Sequence, residues 1–410
     1  MRFLYNIIIH LYGAAIHAAS FFSPKAARWV HGRQKLFENL KNESKAGKPV
    51  WFHCASLGEF EQARPLIELI KDRHPDCDIL LSFFSPSGYE IRKNYALASY
   101  VTYLPLDTPS NARRFVELVK PRAAFFVRYD LWHNHLRELH SRLIPMVLFS
   151  GSFRAGQPYF KWYGGLFRQT LHFFNQIFVL NETSHRLLNR VGVRAALAYD
   201  TRFDRVVAIA RNRKVFPEVE KFCSGHRVMI AGSTWANDEE LIKKFYNKFP
   251  DDWKLILAPH QPEQKALHTL KKSFGDDAVL YSEFDGRDSH RWRVLLIDHI
   301  GNLSSLYAYA HLAYIGGGFN TGVHNILEAA VYGIPVVFGK KFHRSAEAID
   351  LLRIGGAVSV NNRKSFDDTL LKLLQDNELR ARMGALCAEY VQQHTGGTEQ
   401  IYLAVKKYFA

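Results

Sequence analysis

The chain has 410 residues, which is too long for one compact core, and its 47% hydrophobic and 23% charged content excludes a disordered protein. A formal net charge of +15 and a pI near 9.5 predict an anionic partner: nucleic acid, a phosphorylated substrate or an anionic membrane. The four cysteines form no CxxC pair, which argues against a disulfide scaffold or a zinc site and fits a reducing cytosol.

The N-terminal segment differs from the rest of the chain. Residues 3–22 are almost wholly apolar and aromatic and are followed by Lys25, Arg28, Arg33 and Lys35. The run just reaches the ~20 residues that span a bilayer. Its two histidines and one asparagine favour instead a membrane-associating helix that lies in or dips into the leaflet, with the basic residues on lipid headgroups. A core helix of the first domain is the alternative.

Short apolar runs alternate with segments of helical spacing from residue 50 onward. Strands are predicted at 50–55, 78–84, 100–104, 123–127, 145–149 and 176–180. Helices are predicted at 59–73, 88–95, 110–119, 133–142, 159–173 and 183–190. This alternation is typical of a parallel sheet with crossover helices.

The pattern restarts after a basic connector at 204–225. Strands are predicted at 227–232, 253–258, 278–281, 294–298, 312–316, 335–338 and 357–360, and helices at 238–248, 262–273, 303–310, 325–332, 346–352 and 365–375. The fold is therefore expected to be α/β, with two Rossmann-like, doubly wound domains and a ligand cleft at the carboxyl ends of both sheets. We divide the chain into residues 1–35, 36–205 and 206–410, with a last helix that can pack back on the first domain.

The stretch YIGGGFNTGVHNILEAAVYGIPVVFG, residues 314–339, has the densest signal in the second half. An apolar strand runs into a set of glycines, Gly316, Gly317, Gly318 and Gly322. Glycines allow close backbone approach to a ligand, and a helix that opens near His324 or Asn325 would offer free N–H groups to phosphate. Glu328, one turn into that helix, could reach a sugar hydroxyl. A tight strand–helix turn is the alternative, but the His-Asn-x-x-Glu pattern favours a nucleotide-sugar site.

Three weaker segments follow strands of the same half. In AGSTWANDEE, Ser233 and Thr234 lie between a strand and a helix, where hydroxyl and amide groups can converge on phosphate. In APHQP and IDHIGNL, His260 and the backbone of residues 300–302 could line a base or phosphate pocket. The histidines are scattered, without H-x-x-x-H spacing, so we expect no metal site.

Two strand–turn–helix segments stand out in the first half. In SLGEFEQ, Ser56 or Gly58 lies near a helix cap and Glu59 in the first turn. A carboxylate there is usually stabilised by the helix dipole alone, so a cap, a surface charge and a catalytic base all stay open for Glu59. SFFSPSGYE resembles it and offers an anion site on three small residues, Ser85, Ser87 and Gly88.

Taken together, these segments resemble the 3-deoxy-D-manno-octulosonic acid (Kdo) transferases of lipopolysaccharide assembly. HCASLGE matches their H-x-x-S-x-G-E stretch, and SFFSPSGYE is similar to a threonine-rich T-x-T-x-x-G segment. LPLDTPSNARRF, YDLWHN, DTRFD, AGSTWANDEE, IDHIGNLSSLYAYAHLAYIGGG and GVHNILEAAVYGIPVVFGKKF follow in the family's order and spacing. The resemblance covers nearly the whole chain. It implies a GT-B glycosyltransferase at the cytoplasmic face of the inner membrane, with CMP-Kdo as donor substrate, a tetraacylated lipid A precursor as acceptor and no cofactor.

The resemblance also assigns roles to residues. Glu59 falls on the family's proton acceptor, and Arg202 replaces a lysine that stabilises the transition state in relatives. Arg128 takes the place of a second such residue, which is an acid in the family, and Asp130 could supply the missing carboxylate. The CMP contacts fall on Pro259, His260, Ile300, Gly301, Asn302, Asn325, Ile326, Leu327 and Glu328. Further donor contacts are expected at Ser233, Thr234, Gly317, Gly318 and His324, and acceptor contacts at Ser56, Gly58, Ser85, Ser87 and Gly88.

The chemistry that follows is an inverting displacement at the anomeric carbon, without a metal, in which Glu59 deprotonates the acceptor hydroxyl. The nearest alternative is another GT-B enzyme of envelope synthesis, a transferase or epimerase that uses a UDP-sugar. A basic nucleic-acid-binding protein would explain the charge, but not the paired glycine-rich turns or the apolar N-terminus, so no nucleic acid is expected as a partner.

Overall fold

The structure is a computed structural model that describes residues 1–43 and 47–409. The chain forms two compact units, which we call unit 1 (Met1–Arg205 and Thr395–Ala410) and unit 2 (Val206–His394). The sequence prediction divided the chain between residues 205 and 206 and assigned residues 206–410 to the second domain, with a last helix that can pack back on the first. In the structure the segment from Thr395 onward belongs to unit 1.

Unit 1 is built on a seven-stranded parallel sheet. Its strands are β1 (Val50–Cys54), β2 (Ile79–Phe83), β3 (Tyr100–Tyr103), β4 (Ala123–Val127), β5 (Met146–Gly151), β6 (Gln176–Val179) and β7 (Ala196–Leu197), in the order β3-β2-β1-β4-β5-β6-β7. Strands β1, β2, β4 and β5 are buried at every residue, because helices cover both faces of a doubly wound sheet. Strand β7, whose two residues are exposed, was not predicted from the sequence.

The helices of unit 1 begin at the N-terminus. They are α1 (Arg2–Ala19), α2 (Pro24–His31), α3 (Leu36–Glu43), α4 (Leu57–Arg73), α5 (Pro86–Arg92), α6 (Pro109–Val119), α7 (His133–Ser141), α8 (Gly165–Leu171), α9 (Glu182–Arg190) and α10 (Thr201–Arg211), which runs on into unit 2. The predicted helix 159–173 is wrong in its first half, where only a 3-10 turn, Pro158–Phe160, precedes α8.

Unit 2 repeats the architecture with another seven-stranded parallel sheet. Its strands are β8 (Arg227–Thr234), β9 (Trp253–Pro259), β10 (Ala278–Leu280), β11 (Val294–Leu296), β12 (Leu312–Ile315), β13 (Val336–Gly339) and β14 (Ala357–Val360), in the order β10-β11-β9-β8-β12-β13-β14. Its helices are α11 (Pro217–Cys223), α12 (Ala236–Tyr246), α13 (Gln264–Phe274), α14 (Leu303–Leu306), α15 (Leu327–Ala330), α16 (Ala346–Ile354), α17 (Arg363–Gln375) and α18 (Asn377–Gln393). The predicted connector 204–225 is mostly helical, in α10 and α11.

The two strand orders define where a ligand can bind in each unit. In unit 1 the order reverses between the neighbours β1 and β4, and in unit 2 between β8 and β12. In doubly wound sheets the crevice outside the carboxyl ends of the strands at such a switch point is the usual ligand site. The segments singled out in the sequence follow these four strands or lie close by.

The chain returns to unit 1 at its C-terminal end through α19 (Gly397–Val405). Asp204 accepts hydrogen bonds from the backbone N–H groups of Gly396 (2.6 Å) and Thr398 (2.7 Å). Arg73 and Glu399 form a bidentate ion pair at 2.8–2.9 Å. These contacts fix α19 beside α4, and therefore support the helix that carries Glu59.

The N-terminal helices are attached to the carboxyl side of the unit 1 sheet. The hydroxyl of Tyr5 donates to buried Asp107 at 2.6 Å. Arg33 donates to the carbonyl oxygens of Leu104, Trp29 and Phe84 and stacks on the Trp29 ring at 3.8 Å. The expectation that Arg33 contacts lipid headgroups is therefore wrong, since its side chain is engaged inside the unit.

Over residues 1–43 and 47–409, no single helix is long and apolar enough to cross a bilayer. The pair α1 and α2 meets the criterion of length and composition together, but the chain bends by 120° between them.

Candidate functional site

Glu59 lies in the first turn of α4, directly after the carboxyl end of β1. Ser56 is the extended N-cap residue of this helix, and its hydroxyl donates to the carboxylate of Glu59. Glu59 is half-buried and Gly58 is exposed. The carboxylate is thus held at the switch point of unit 1 with an open position beside it, which suits a base that must meet a substrate.

A second carboxylate lies on the neighbouring strand. Asp130, three residues beyond β4, accepts from buried His53 of β1 (Nε2 to Oδ2, 2.7 Å) and from the indole of Trp132 (3.0 Å). The other ring nitrogen of His53 bonds to the Ser82 hydroxyl of β2 at 2.9 Å. Three adjacent strands therefore orient Asp130 through one network.

Arg128 and Arg202 belong to another network beside α4. Arg128 Nε donates to Oε1 of buried Gln62 at 2.8 Å, and Gln62 Nε2 donates to buried Asp200 at 3.1 Å. Arg202 binds the same carboxylate through Nε (3.0 Å) and Nη2 (2.8 Å). Burial would raise the pKa of Asp200, but the charge and hydrogen bonds of Arg202 lower it overall. The fold thus brings together two of the three predicted catalytic residues.

The predicted anion site after β2 is only partly open. Ser85 and Ser87 are hydrogen-bonded to each other (2.9 Å), and Ser85 caps α5 by accepting from the backbone of Ser87 (3.3 Å). Gly88 is buried, and a Cβ there would lie 2.4 Å from the Phe83 ring. Gly88 is therefore needed for helix–strand packing, whereas the two serines remain available at the surface.

The glycine-rich loop of unit 2 packs tightly against the turn that follows β8. A Cβ on Gly316 would lie 2.2 Å from the Ser233 carbonyl oxygen, and one on Gly318 would lie 2.5 Å from the Gly339 nitrogen. Gly317 has φ +87°, and its N–H donates to Asp238 at 2.9 Å. The glycines thus allow the loop backbone to pack directly against neighbouring backbone segments at the switch point of unit 2, where a side chain would not fit.

Asp238 connects the two sides of that switch point. It is fully buried and also accepts from the backbone N–H of Trp235 (3.0 Å) and from the hydroxyl of Tyr314 (2.7 Å). Since α12 begins at Ala236, the predicted helix start at 238 is two residues late. A first-turn carboxylate that caps its own helix thereby also fixes the glycine loop.

An aromatic stack borders the same loop. Trp235 Nε1 donates to His324 Nε2 at 3.0 Å, and the His324 ring stacks on His260 at 4.3 Å. Burial and the nearby His260 lower the pKa of His324 to about 4, in agreement with a ring nitrogen that accepts a hydrogen bond. His260 is partly open to solvent, and the burial of the rest of its ring lowers its pKa. The stack offers a flat, neutral surface at neutral pH.

The predicted helix at 325–332 is wrong in extent. Helix α15 has only four residues, Leu327–Ala330, so His324 and Asn325 do not open a helix that could bind phosphate. Asn325 instead accepts from the Leu327 N–H (3.2 Å) and donates to Glu328 (3.0 Å). The side chains of Ile326 and Leu327 are fully buried, so only backbone atoms of these two residues could meet a ligand.

The remaining donor-side predictions lie in three environments. Thr234 is buried and its hydroxyl donates to Glu239 at 3.0 Å, so it does not present a free hydroxyl to phosphate. Ile300 is 79% exposed, and the side chain of Asn302 bonds to His299 at 2.7 Å. Ser233 (φ +53°) and Gly301 (φ +107°) have a left-handed backbone conformation. Pro259 is the last residue of β9.

Sequence reasoning missed the residues that position these groups. Gln62, Asp200, Trp235 and Asp238 were not predicted, although each lies within four residues of a predicted one. A buried polar side chain beside a candidate site would have indicated such a positioning residue. However, the spacing of apolar residues along the chain does not show whether one particular polar side chain is buried. Among residues 1–43 and 47–409, no group of three or more His, Cys, Asp or Glu side chains could hold a metal ion.

Comparisons with known proteins identify related sequences. A family model described as 3-deoxy-D-manno-octulosonic-acid transferase (kdotransferase) matches residues 29–205. The 3-deoxy-D-manno-octulosonic acid transferase of Haemophilus influenzae is 25% identical over 400 residues, covering 92% of each chain. That of Aquifex aeolicus is 28% identical over 345 residues, covering 82% of this chain and 88% of its own.

A solved structure shares the architecture. The UDP-GlcNAc 2-epimerase of Neisseria meningitidis, bound to UDP-GlcNAc, superposes with a TM-score of 0.62 at 15% identity, over 88% of this chain and 100% of that one. At this identity the likeness concerns the fold alone. The predicted fold class, α/β with two doubly wound domains of the GT-B type, is confirmed.

Proposed function

We propose that the chain is a 3-deoxy-D-manno-octulosonic acid (Kdo) transferase, a glycosyltransferase like the relatives that it resembles, and that it transfers Kdo from CMP-Kdo to a lipid A precursor and releases CMP. The acceptor that we propose is a tetraacylated disaccharide bisphosphate. The reaction is a single inverting displacement, because one base and one attacking hydroxyl suffice for it.

The observation that carries the proposal is the placement of Glu59. Its carboxylate follows β1 at the switch point of unit 1, receives one hydrogen bond from Ser56 and lies beside exposed Gly58. A half-buried carboxylate beside an exposed residue without a side chain can be reached by a substrate hydroxyl and can accept its proton. General-base assistance of this kind contributes about 10²–10⁴-fold to the rate.

The donor is proposed to bind unit 2 at the glycine loop and the aromatic stack. The glycine loop, which Asp238 fixes through the Gly317 N–H, allows a nucleotide to approach the backbone closely, and the exposed His260 ring offers it a π-face. The charge that develops on the departing phosphate is proposed to be stabilised by Arg202, which Asp200 holds in place. No step of this scheme uses a metal or a cofactor.

Mass spectrometry of the lipid acceptor after incubation with CMP-Kdo tests the function. The acceptor should gain the mass of a Kdo residue, that is of Kdo less one water, and CMP should appear in equal amount; release of UDP from a UDP-sugar instead would favour the alternative GT-B chemistry. Glu59→Gln should lose most turnover. The matched control is Glu61→Gln, two residues along α4, where the carboxylate pairs with Arg92 at 2.9 Å. Near-normal turnover in Glu59→Gln would overturn the role of the base.

We further propose that unit 1 docks on the cytoplasmic face of the inner membrane through the outer side of α1. Its exposed side chains are large and apolar: Phe3 (80% exposed), Leu4, Ile7, Ile8 and Leu11, with Phe21 and Phe22 just beyond. Trp162 (91% exposed) and Tyr163 add an aromatic loop, and Gly165 after that loop lies against Met1. Exposed Lys25, Arg28 and Lys35 complement anionic headgroups.

Sedimentation with vesicles that contain anionic lipid tests the docking. Replacing Phe3 and Leu4 together by serine, or Trp162 by serine, should reduce the bound fraction. Leu143→Ser is the matched control, because Leu143 is 88% exposed in the turn that leads into the amino end of β5. If the control reduces binding as much as the α1 variants, the docking surface is wrongly placed.

A further inference from the structure

Arg128 departs from the family pattern, and its surroundings give it a different task from that of an acid. It directly follows β4, where its N–H donates to the Phe149 carbonyl at 2.9 Å and its backbone has φ +63°. This left-handed conformation is costly for a residue with a Cβ. The backbone here turns the side chain toward α4, where Nε meets Gln62.

The hydrogen bond to Gln62 involves only one of the three nitrogens of the Arg128 guanidinium. Over the described residues, Nε is the only atom of the Arg128 guanidinium with a hydrogen bond, and no carboxylate lies within 4.0 Å of it. Gln62 is buried and is itself held by Asp200. The side chain is therefore fixed at one edge, while its two terminal nitrogens remain for a ligand.

The charges of the network add to this argument. Arg202 binds the carboxylate of Asp200 directly, and neutral Gln62 lies between that carboxylate and Arg128. The positive charge of Arg128 is therefore not neutralised by a direct contact with Asp200. Glu59 and Gln62 are three residues apart on α4 and share a face of the helix, which brings the Arg128 guanidinium to within about one helical turn of the proposed base.

We propose that Arg128 binds an oxyanion of the substrate next to the reacting hydroxyl, and that Gln62 positions it for that purpose. A fixed guanidinium with two free terminal nitrogens matches a carboxylate or phosphate in a bidentate manner. The inference rests on the proposed function for the identity of the ligand. Two sources supply the same chemistry: the carboxylate on the anomeric carbon of Kdo and a phosphate of the acceptor.

Steady-state kinetics of Arg128→Met, Arg128→Lys and Arg128→Glu test the proposal. A hydrogen bond to a charged group corresponds to about a 10- to 100-fold change, so Arg128→Met should raise the KM of the substrate that brings the oxyanion by about that factor. If the acceptor phosphate is the ligand, the defect should vanish with a monophosphorylated acceptor. If it is the Kdo carboxylate, the defect should persist with both acceptors and appear in the KM for CMP-Kdo.

Two further measurements make the outcome decisive. Arg128→Glu should be the poorest variant, because it repels an oxyanion; higher activity in this variant would show that the position needs the family's acid and would overturn the proposal. Inorganic phosphate should raise the unfolding midpoint of the wild type and of Arg190→Met, an exposed control at the end of α9, but much less that of Arg128→Met. This arm needs no turnover, so it separates failure of the subsite from failure of the proposed function. Equal protection of all three proteins would also overturn the proposal.

Discussion

His53 and Asp130 are joined by a 2.7 Å hydrogen bond, from Nε2 to Oδ2, at the carboxyl end of the unit 1 sheet. The Trp51 indole donates to Ser82 Oγ at 2.7 Å, so the Ser82 hydroxyl is left to donate to His53 Nδ1 at 2.9 Å. This order of donors fits the imidazole tautomer that is protonated at Nε2 and donates to Asp130. Every polar atom of buried His53 therefore has a partner.

Asp130→Ala should destabilise unit 1. The substitution leaves His53 Nε2 and the Trp132 indole without their acceptor, and an unpaired buried donor costs about 1–3 kcal/mol. Urea denaturation should show this fall in the free energy of unfolding. Asp130→Asn keeps an acceptor oxygen and should be closer to the wild type, so a loss of Kdo transfer in the stable Asn variant would report on the carboxylate charge itself. An Asp130→Ala variant as stable as the wild type would contradict this account.

Gly58→Ala separates folding from acceptor contact. Among the residues that the structure describes, a Cβ at Gly58 would meet only Ser56 Oγ, at 3.7 Å, and alanine is favoured over glycine within a helix by about 0.5–1 kcal/mol. The variant should therefore be as stable as the wild type or more so. Turnover should nevertheless fall, because the methyl group occupies the open position beside Glu59. Unchanged KM and kcat for the acceptor would mean that the acceptor approaches Glu59 from elsewhere.

The sheets were predictable because their strands are short, buried apolar runs, such as Ala123–Val127 and Met146–Gly151. Strand β7 could not be predicted, since its two exposed residues form neither an apolar run nor an alternating pattern. Helix α10 was missed because its amphipathic residues merge with the basic run after Arg211. Helix α15 was predicted too long, because the apolar spacing of 325–332 is helical although the chain leaves the helix at Val331.

Those parts of the candidate site that lie next to the end of a strand in the sequence were predictable. Glu59, Ser85 and Arg128 each directly follow, or lie near, the end of a strand, and parallel strands bring such ends to one edge. Contacts between distant parts of the chain were not predictable. Gln62 and Asp200 are 138 positions apart, and only the fold shows that one contacts the other.

His324 should make unit 2 sensitive to acid. Burial and His260 lower its pKa in the folded protein from 6.5 to about 4, so the unfolded chain takes up the proton first as the pH falls. The stability that depends on neutral His324 is complete above about pH 6.5 and declines as the pH falls toward 4. His324→Asn should flatten the pH dependence of the unfolding free energy in that window. The exposed control His268→Asn should not, and identical curves for both variants would contradict the prediction.

Tyr5→Phe should loosen α1 without altering its apolar outer side. Tyr5 donates to Asp107, which is fully buried and also accepts from the backbone N–H groups of Asn134 (3.0 Å) and His135 (2.9 Å). Burial and the Asp107 carboxylate raise the pKa of Tyr5, so the hydroxyl remains a donor over the physiological range.

Loss of this charge-assisted bond should cost about 1.5–3 kcal/mol and speed amide exchange in peptides from residues 2–19, measured by mass spectrometry. Tyr12→Phe is the matched control, since over the described residues the Tyr12 hydroxyl has no hydrogen bond and its ring stacks on Phe84 at 6.3 Å. Equal exchange in the two variants would show that α1 is held by its apolar contacts, such as Gly13 against Leu106. Vesicle binding should survive in both variants, because neither changes Phe3 or Leu4. Loss of binding in Tyr5→Phe alone would mean that the orientation of α1, and not only its apolar surface, is needed for docking.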